Sequence, residues 1–186
     1  TPRAARLLAT FSGGAGAMVE QLFYPDSRQI KSARVQQLYA YWLRRHDEVG
    51  GIPTRAQFDP VDLRGLLPNL FIVDVEENPR RFRYRLVGTA VVEYNQLEFT
   101  GRYLGSIGWE EEQALLTQYA QVLESRGPVF GYYDWILRSG AKGRAEYGLF
   151  PLAGADGAII QVIGVEDYDF TLNDALAGVR PARKGG

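Results

Sequence analysis

Residues 71–101 read FIVDVEENPRRFRYRLVGTAVVEYNQLEFTG, and this stretch decides the fold. Two short apolar runs, 69–76 and 81–87, flank the turn-type residues Glu77, Asn78, Pro79 and Arg80, which predicts a β-hairpin. In the second run Phe82, Tyr84 and Leu86 alternate with Arg83, Arg85 and Val87. Successive side chains of a strand point to opposite faces, so one face is expected to be apolar and the other partly basic. Gly88 and Thr89 then break the strand. Residues 90–94 form a short helical piece, and Thr100 with Gly101 makes a second break.

Downstream, 109–126 reads as a long helix. Glu110, Glu111 and Glu112 crowd its first turn and Arg126 closes it, as the helix dipole favours, and Gly127-Pro128 stops it. Leu115, Tyr119, Val122 and Leu123 form its apolar face. Three strand-like runs follow at 129–138, 144–152 and 158–168, joined by Gly-rich hairpin loops. Residues 171–186 are a tail with a basic end.

Upstream, Asp26 and Ser27 are good N-cap types, and Val35, Leu38, Tyr39 and Trp42 follow the spacing of one helical face. A helix is therefore predicted from about Asp26 to Gly50-Gly51, lying on a sheet or pairing with its twin in a dimer. Three prolines in 52–68 argue for a wrapping connector, with Asp59 and Pro60 opening a helical turn that buries Val61, Leu63, Leu66 and Leu67. Residues 1–24 contain a Gly/Ala run between apolar patches, expected to pack on a neighbour within the molecule or across a dimer. The expected division is an arm at 1–26, a flanking helix and connector at 27–68, a core at 69–170 and a tail at 171–186.

Composition narrows the chemistry. The 186 residues carry a net charge of −1, which gives no field to attract nucleic acid or an anionic membrane. There is no cysteine, so disulfides, thiol nucleophiles, iron–sulfur clusters and cysteine-bound zinc are excluded. One histidine, His46, rules out a multi-histidine metal site, and no nucleophile elbow or phosphate-binding loop stands in a convincing context. No apolar run approaches the roughly 20 residues of a membrane helix. The opening residues are too short and too weakly apolar for a signal peptide.

Strand, strand, short helices, one long helix and three strands is an order that resembles a PAS domain. The chain is similar in particular to a stand-alone bacterial PAS-domain family. The matching pieces are Trp42, Ile52-Pro53-Thr54-Arg55, Asp59-Pro60, Leu66-Leu67-Pro68, Tyr84-Arg85-Leu86-Val87-Gly88-Thr89, Glu98-Phe99-Thr100-Gly101, Glu146 and Leu149-Phe150-Pro151-Leu152. At Tyr94-Asn95-Gln96-Leu97 the chain departs from the family, which there reads closer to Phe-Gly-Arg-Glu. The resemblance implies an α+β fold: a five-stranded antiparallel sheet with helices on one face and an N-terminal flanking helix. It implies a non-catalytic sensory module that binds a small molecule or a protein partner; the absence of cysteine points to the cytoplasm, with a cysteine-free secreted chain as the alternative. The expected assembly is a homodimer signalling through its N-terminal helix to a separate protein, with no nucleic acid and no membrane. The cofactor is left unknown. A cysteine-linked flavin or chromophore has no cysteine here, and a haem ligand would need a histidine nearer the long covering helix than His46.

Within that frame Tyr94, Asn95, Trp109, Tyr133 and Trp135 are candidates to line a ligand pocket or to fill the core. Arg85 is expected on the far side of the sheet, as half of an internal ion pair fixing the Gly88-Thr89 turn or as an anion-binding group. Glu98 joins the candidate ligand set. Two alternatives stand beside the sensor: a small isomerase or hydrolase with Asp59, Glu98 or Glu146 as base, and a purely structural dimerisation module with a filled core. A carboxylate deep between sheet and helices, with a raised pKa and a nearby donor, would favour the enzyme.

Overall fold

A computed structural model describes residues 6–9, 19–24, 26–108, 112–136 and 142–168. The elements in chain order are β1 (Arg6–Ala9), β2 (Val19–Phe23), α1 (Ala33–Val49), β3 (Leu70–Glu76), β4 (Arg81–Val87), α2 (Thr89–Asn95), α3 (Glu112–Ser125), β5 (Val129–Ile136), β6 (Lys142–Ala153) and β7 (Ile159–Asp167). The sheet order is β1-β2-β5-β6-β7-β3-β4, with every neighbouring pair antiparallel. Five of these strands, β3 to β7, are the expected sheet. The N-terminal segment adds two more at its β5 edge. The tail from 171 onward lies outside the described residues.

Both faces of the sheet are buried, by different helices. Val35, Leu38 and Trp42 of α1 pack on Ile72, Phe130, Phe150 and Ile163, with Phe58, Leu63 and Leu66 of the connector closing the side. On the opposite face Val91 of α2 and Tyr119 and Val122 of α3 pack on Phe71, Val73, Tyr147 and Val162. Strict alternation along β3 sends Leu70 and Ile72 to α1, and Phe71 and Val73 to α2 and α3. Side chains at Gly148 and Gly164 would collide with Phe150 and Phe71 respectively, so these positions let the ends of the aromatic rings approach the strand backbone.

The start of α1 differs from the sequence expectation. Asp26 caps only a single 3₁₀ turn at Ser27–Gln29, accepting from the Arg28 N–H at 2.8 Å. The helix itself begins at Ala33, where the Ser32 hydroxyl oxygen accepts from the Val35 N–H at 3.1 Å. Gly50 ends it in the left-handed region at φ 67°. In the connector Asp59 caps a turn as expected, accepting from the Val61 N–H, but only Leu63 and Leu66 are buried while Val61 and Leu67 are exposed.

The β3–β4 hairpin carries the other difference. Ile72 pairs with Leu86 and Val73 with Tyr84, which leaves Arg85 as an extra, unpaired residue in β4. This bulge reverses the alternation beyond Tyr84. Phe82 and Tyr84 are buried as expected, whereas Leu86 turns outward and is 44 % exposed. Arg85 turns outward with it and lies 3.6 Å from Asp74, a carboxylate held more closely by Arg83 at 2.8 Å.

Candidate functional site

Strands β6 and β7 place three carboxylates near one another, on opposite faces of the sheet. Glu146 and Asp167 are register partners and both face α1. Glu146 is fully buried: one oxygen accepts from the Tyr24 hydroxyl at 2.5 Å, the other from the backbone N–H groups of Lys31 at 2.9 Å and Ser32 at 2.7 Å. Asp167 accepts from the Ser32 hydroxyl at 2.6 Å and from Arg34 at 2.6 Å. The serine that caps α1 is thus itself aimed by Asp167, and the chain entering the helix is held by Glu146. Trp42 completes the docking more than two turns further along α1, donating its indole N–H to the Pro151 carbonyl at 2.9 Å.

Glu166 stands between these residues in sequence but points the other way. Alternation puts it with Val162, Gly164 and Tyr168 on the face covered by α2 and α3. Its Oε2 accepts from the Tyr168 hydroxyl and from the Tyr133 hydroxyl at 3.4 Å. Tyr94 of α2 stacks on Tyr168 with ring centroids 3.8 Å apart and planes 9° apart. The register partner of Tyr133 is Ala145, a fully buried alanine on the same face. No basic side chain pairs with Glu166 among the described residues. Burial raises its pKa above the usual carboxylate value of 4.5, opposed by the two tyrosine hydrogen bonds. Burial in turn raises the hydroxyl pKa values of Tyr94, Tyr133 and Tyr168, and the Glu166 charge adds to the shift.

The same face holds further polar groups. Tyr147, the register partner of Glu166, and Gln118 of α3 are both buried. The Gln118 carboxamide opposes the upward push of burial on the Tyr147 hydroxyl. Neither Gln118 Nε2 nor the Tyr147 hydroxyl makes a well-directed hydrogen bond among the described residues. Such groups cost roughly 1–3 kcal/mol each when left without a partner.

Of the residues singled out from the sequence, Tyr94 and Tyr133 are brought together at Glu166. Asn95 is exposed at the end of α2 and donates to the Val91 carbonyl. Glu98 is exposed in the following turn, where the Thr100 hydroxyl and backbone N–H hold its carboxyl below the usual range. Arg85 is on the outer surface with Asp74. Trp135 lies in β5, its side chain outside the described residues, and Trp109 lies outside them altogether. Of the three carboxylates weighed as bases, Asp59 caps an exposed turn, Glu98 another, and Glu146 is saturated by three donors. His46 stacks on Trp42 at 5.0 Å, on the α1 face. Glu166 and Tyr168 were missed. The signal available was a pair of adjacent carboxylates, Glu166 and Asp167, closing a largely apolar strand, with a tyrosine two residues after Glu166 on the same face.

A sequence model of the family described as PAS domain matches residues 30–166. No curated protein sequence matches the chain. Among solved structures the chain is similar to a light-oxygen-voltage domain from work with a flavin analogue, at 13 % identity and TM-score 0.44, covering 67 % of this chain and 93 % of that one. It is similar to the dark structure of the Aureochrome1 light-oxygen-voltage photoreceptor domain at 12 % identity and TM-score 0.44, covering 66 % and 88 %. It is also similar to a PAS domain from Colwellia psychrerythraea at 12 % identity and TM-score 0.39, covering 59 % and 97 %.

Proposed function

We propose, for a chain that belongs to the PAS domain family, a non-catalytic sensory role in which a small molecule binds on the α2/α3 face of the sheet and is felt by α1 on the other. The observation that carries this reading is the back-to-back arrangement on β7. Glu166 faces the tyrosine cluster, and the next residue, Asp167, fixes the N-cap of α1. A ligand that moves Glu166 shifts β7 by the same backbone that holds Ser32. Only a ligand with different affinity for the two positions of α1 can bias them, so the coupling must pass through such shared elements. The receiver is a separate signalling protein, and a homodimer built on α1 carries the change in the cytoplasm.

The incompletely satisfied Gln118 and Tyr147 support a ligand more than a merely filled core. Native mass spectrometry of the purified chain, repeated after denaturation, tests the reading. An added mass that is lost on denaturation supports it; a clean apo mass, together with no saturable binding from a metabolite extract, overturns it.

Glu166 also favours a second reading, since a half-buried carboxylate with a raised pKa and adjacent hydroxyl donors suits a general base. Under the sensory reading the extracted molecule survives prolonged incubation with the protein unaltered. Under the enzymatic reading it is converted, and Glu166→Gln stops the conversion.

A further inference from the structure

The geometry points to a small organic ammonium compound as the class of ligand held at Glu166, with its positive group on the carboxylate and a nearby oxygen acceptor reaching Gln118. This rests on the α2/α3 face being a ligand site. Four observations carry it. Both hydroxyl donors to Glu166 go to Oε2, and among the described residues nothing donates to Oε1. A half-buried carboxylate with one oxygen lacking a donor and, among the described residues, no cation beside it attracts a positive group. The surroundings are tyrosine rings, including the Tyr94–Tyr168 stack, and the faces and hydroxyls of such rings favour cations. Finally, Tyr147 lies directly across from Glu166 in the ladder, and the Gln118 carboxamide, whose Nε2 makes no well-directed hydrogen bond among the described residues, lies beside the Tyr147 hydroxyl.

A metal ion fits this set poorly. Among the described residues no group of three or more histidine, cysteine, aspartate or glutamate side chains could hold one. One carboxylate matches one positive charge, whereas calcium and magnesium take six or more oxygen ligands and zinc takes four, mostly nitrogen or sulfur. An anionic ligand would meet Glu166 with like charge. A neutral ligand would leave the carboxylate without a counter-charge.

The test uses choline, which carries a quaternary ammonium and a hydroxyl, against its neutral carbon analogue dimethylbutanol. Binding to the full chain is followed by calorimetry and by tyrosine and tryptophan fluorescence. The expected result is saturable choline binding, none by dimethylbutanol, and a loss of at least about tenfold in Glu166→Gln, the loss of one partly buried ion pair. Glu48→Gln, on the exposed side of α1, should leave choline binding unchanged. Equal binding of the two probes, or full choline affinity in a folded Glu166→Gln protein, overturns the ammonium assignment and leaves the ligand site standing. No binding of choline to the wild type at millimolar concentration also overturns it. The native mass spectrum decides separately whether the site itself survives.

Discussion

Replacing Glu146 separates a structural clamp from a chargeable site. Its carboxylate receives three donors, two of them backbone N–H groups at the entry to α1. In Glu146→Ala the Ser32 N–H, on a residue only 1 % exposed, is left without a partner, which costs about 1–3 kcal/mol. The one lost side-chain methylene removes about 0.8 kcal/mol of burial. Lys31 is exposed and Tyr24 only half-buried, so water takes up their bonds at smaller cost. The net expectation is about 3 kcal/mol. Glu146→Gln keeps an oxygen for the two backbone donors and turns its amide toward Tyr24, whose hydroxyl can accept; with the carboxylate's desolvation also removed, the cost falls to about 1 kcal/mol or less. Urea unfolding with a slope of about 2 kcal/mol/M reads these as midpoint shifts of about 1.5 M and under about 0.5 M. Equal shifts for the two substitutions, or a shift under about 0.5 M for alanine, would refute the clamp.

Ser32→Ala removes both the cap of α1 and the donor to Asp167, and should cost about 1–2 kcal/mol by the same unfolding assay. Gly164→Ala places a methyl into the Phe71 ring, which is 3 % exposed and has nowhere to go; about 1–3 kcal/mol should be lost, and Phe71→Leu in the same chain should restore part of it. The pH dependence of stability follows from Glu166. Its pKa is raised in the folded protein, so the folded state binds the proton more tightly; stability is greatest below the unfolded value of 4.5 and falls as pH rises through the folded value. The difference in unfolding free energy between wild type and Glu166→Gln should therefore move in favour of the glutamine protein as pH rises from about 4 to 8. A flat difference would mean that Glu166 is not desolvated.

The hairpin at 71–87 and the apolar face of α1 were legible because each depends on neighbours in sequence. Val35, Leu38 and Trp42 stand at helical spacing, and Phe82 and Tyr84 at strand spacing. What was not legible depends on partners far along the chain. Ser32 outranks Asp26 as the cap of α1 because Asp167, 135 residues away, holds its hydroxyl. The bulge at Arg85 is invisible in the alternation of 82–87, which reads regularly whether or not a residue is skipped in the pairing. Glu166 escaped for a related reason. With both faces of β7 buried, Val162, Ile163 and Val165 give no inside and outside, so the direction of an embedded carboxylate cannot be read from its neighbours.

Several pieces that carry the family resemblance serve the α1 face. Glu146 holds the entry to the helix, Trp42 bonds Pro151, and the Ala153 N–H donates to the Pro53 carbonyl at 2.9 Å. The tyrosine cluster around Glu166 draws little on those pieces. That division suits a module whose helix docking is a common frame and whose opposite face is where a ligand is selected.

Hydrogen exchange at the backbone amides of Lys31, Ser32 and Val35, compared between wild type and Glu166→Gln, tests most directly whether the α2/α3 face speaks to α1. The substitution touches only the tyrosine side of the sheet, so any response at these amides must cross to the α1 side, through Asp167 and Ser32 or through Glu146, which accepts from the Lys31 and Ser32 N–H groups. The expected result is a change in their protection larger than that at Val73, deep in β3. A response confined to β7, α2 and the tyrosine cluster, with the entry to α1 unchanged, would contradict the proposed route.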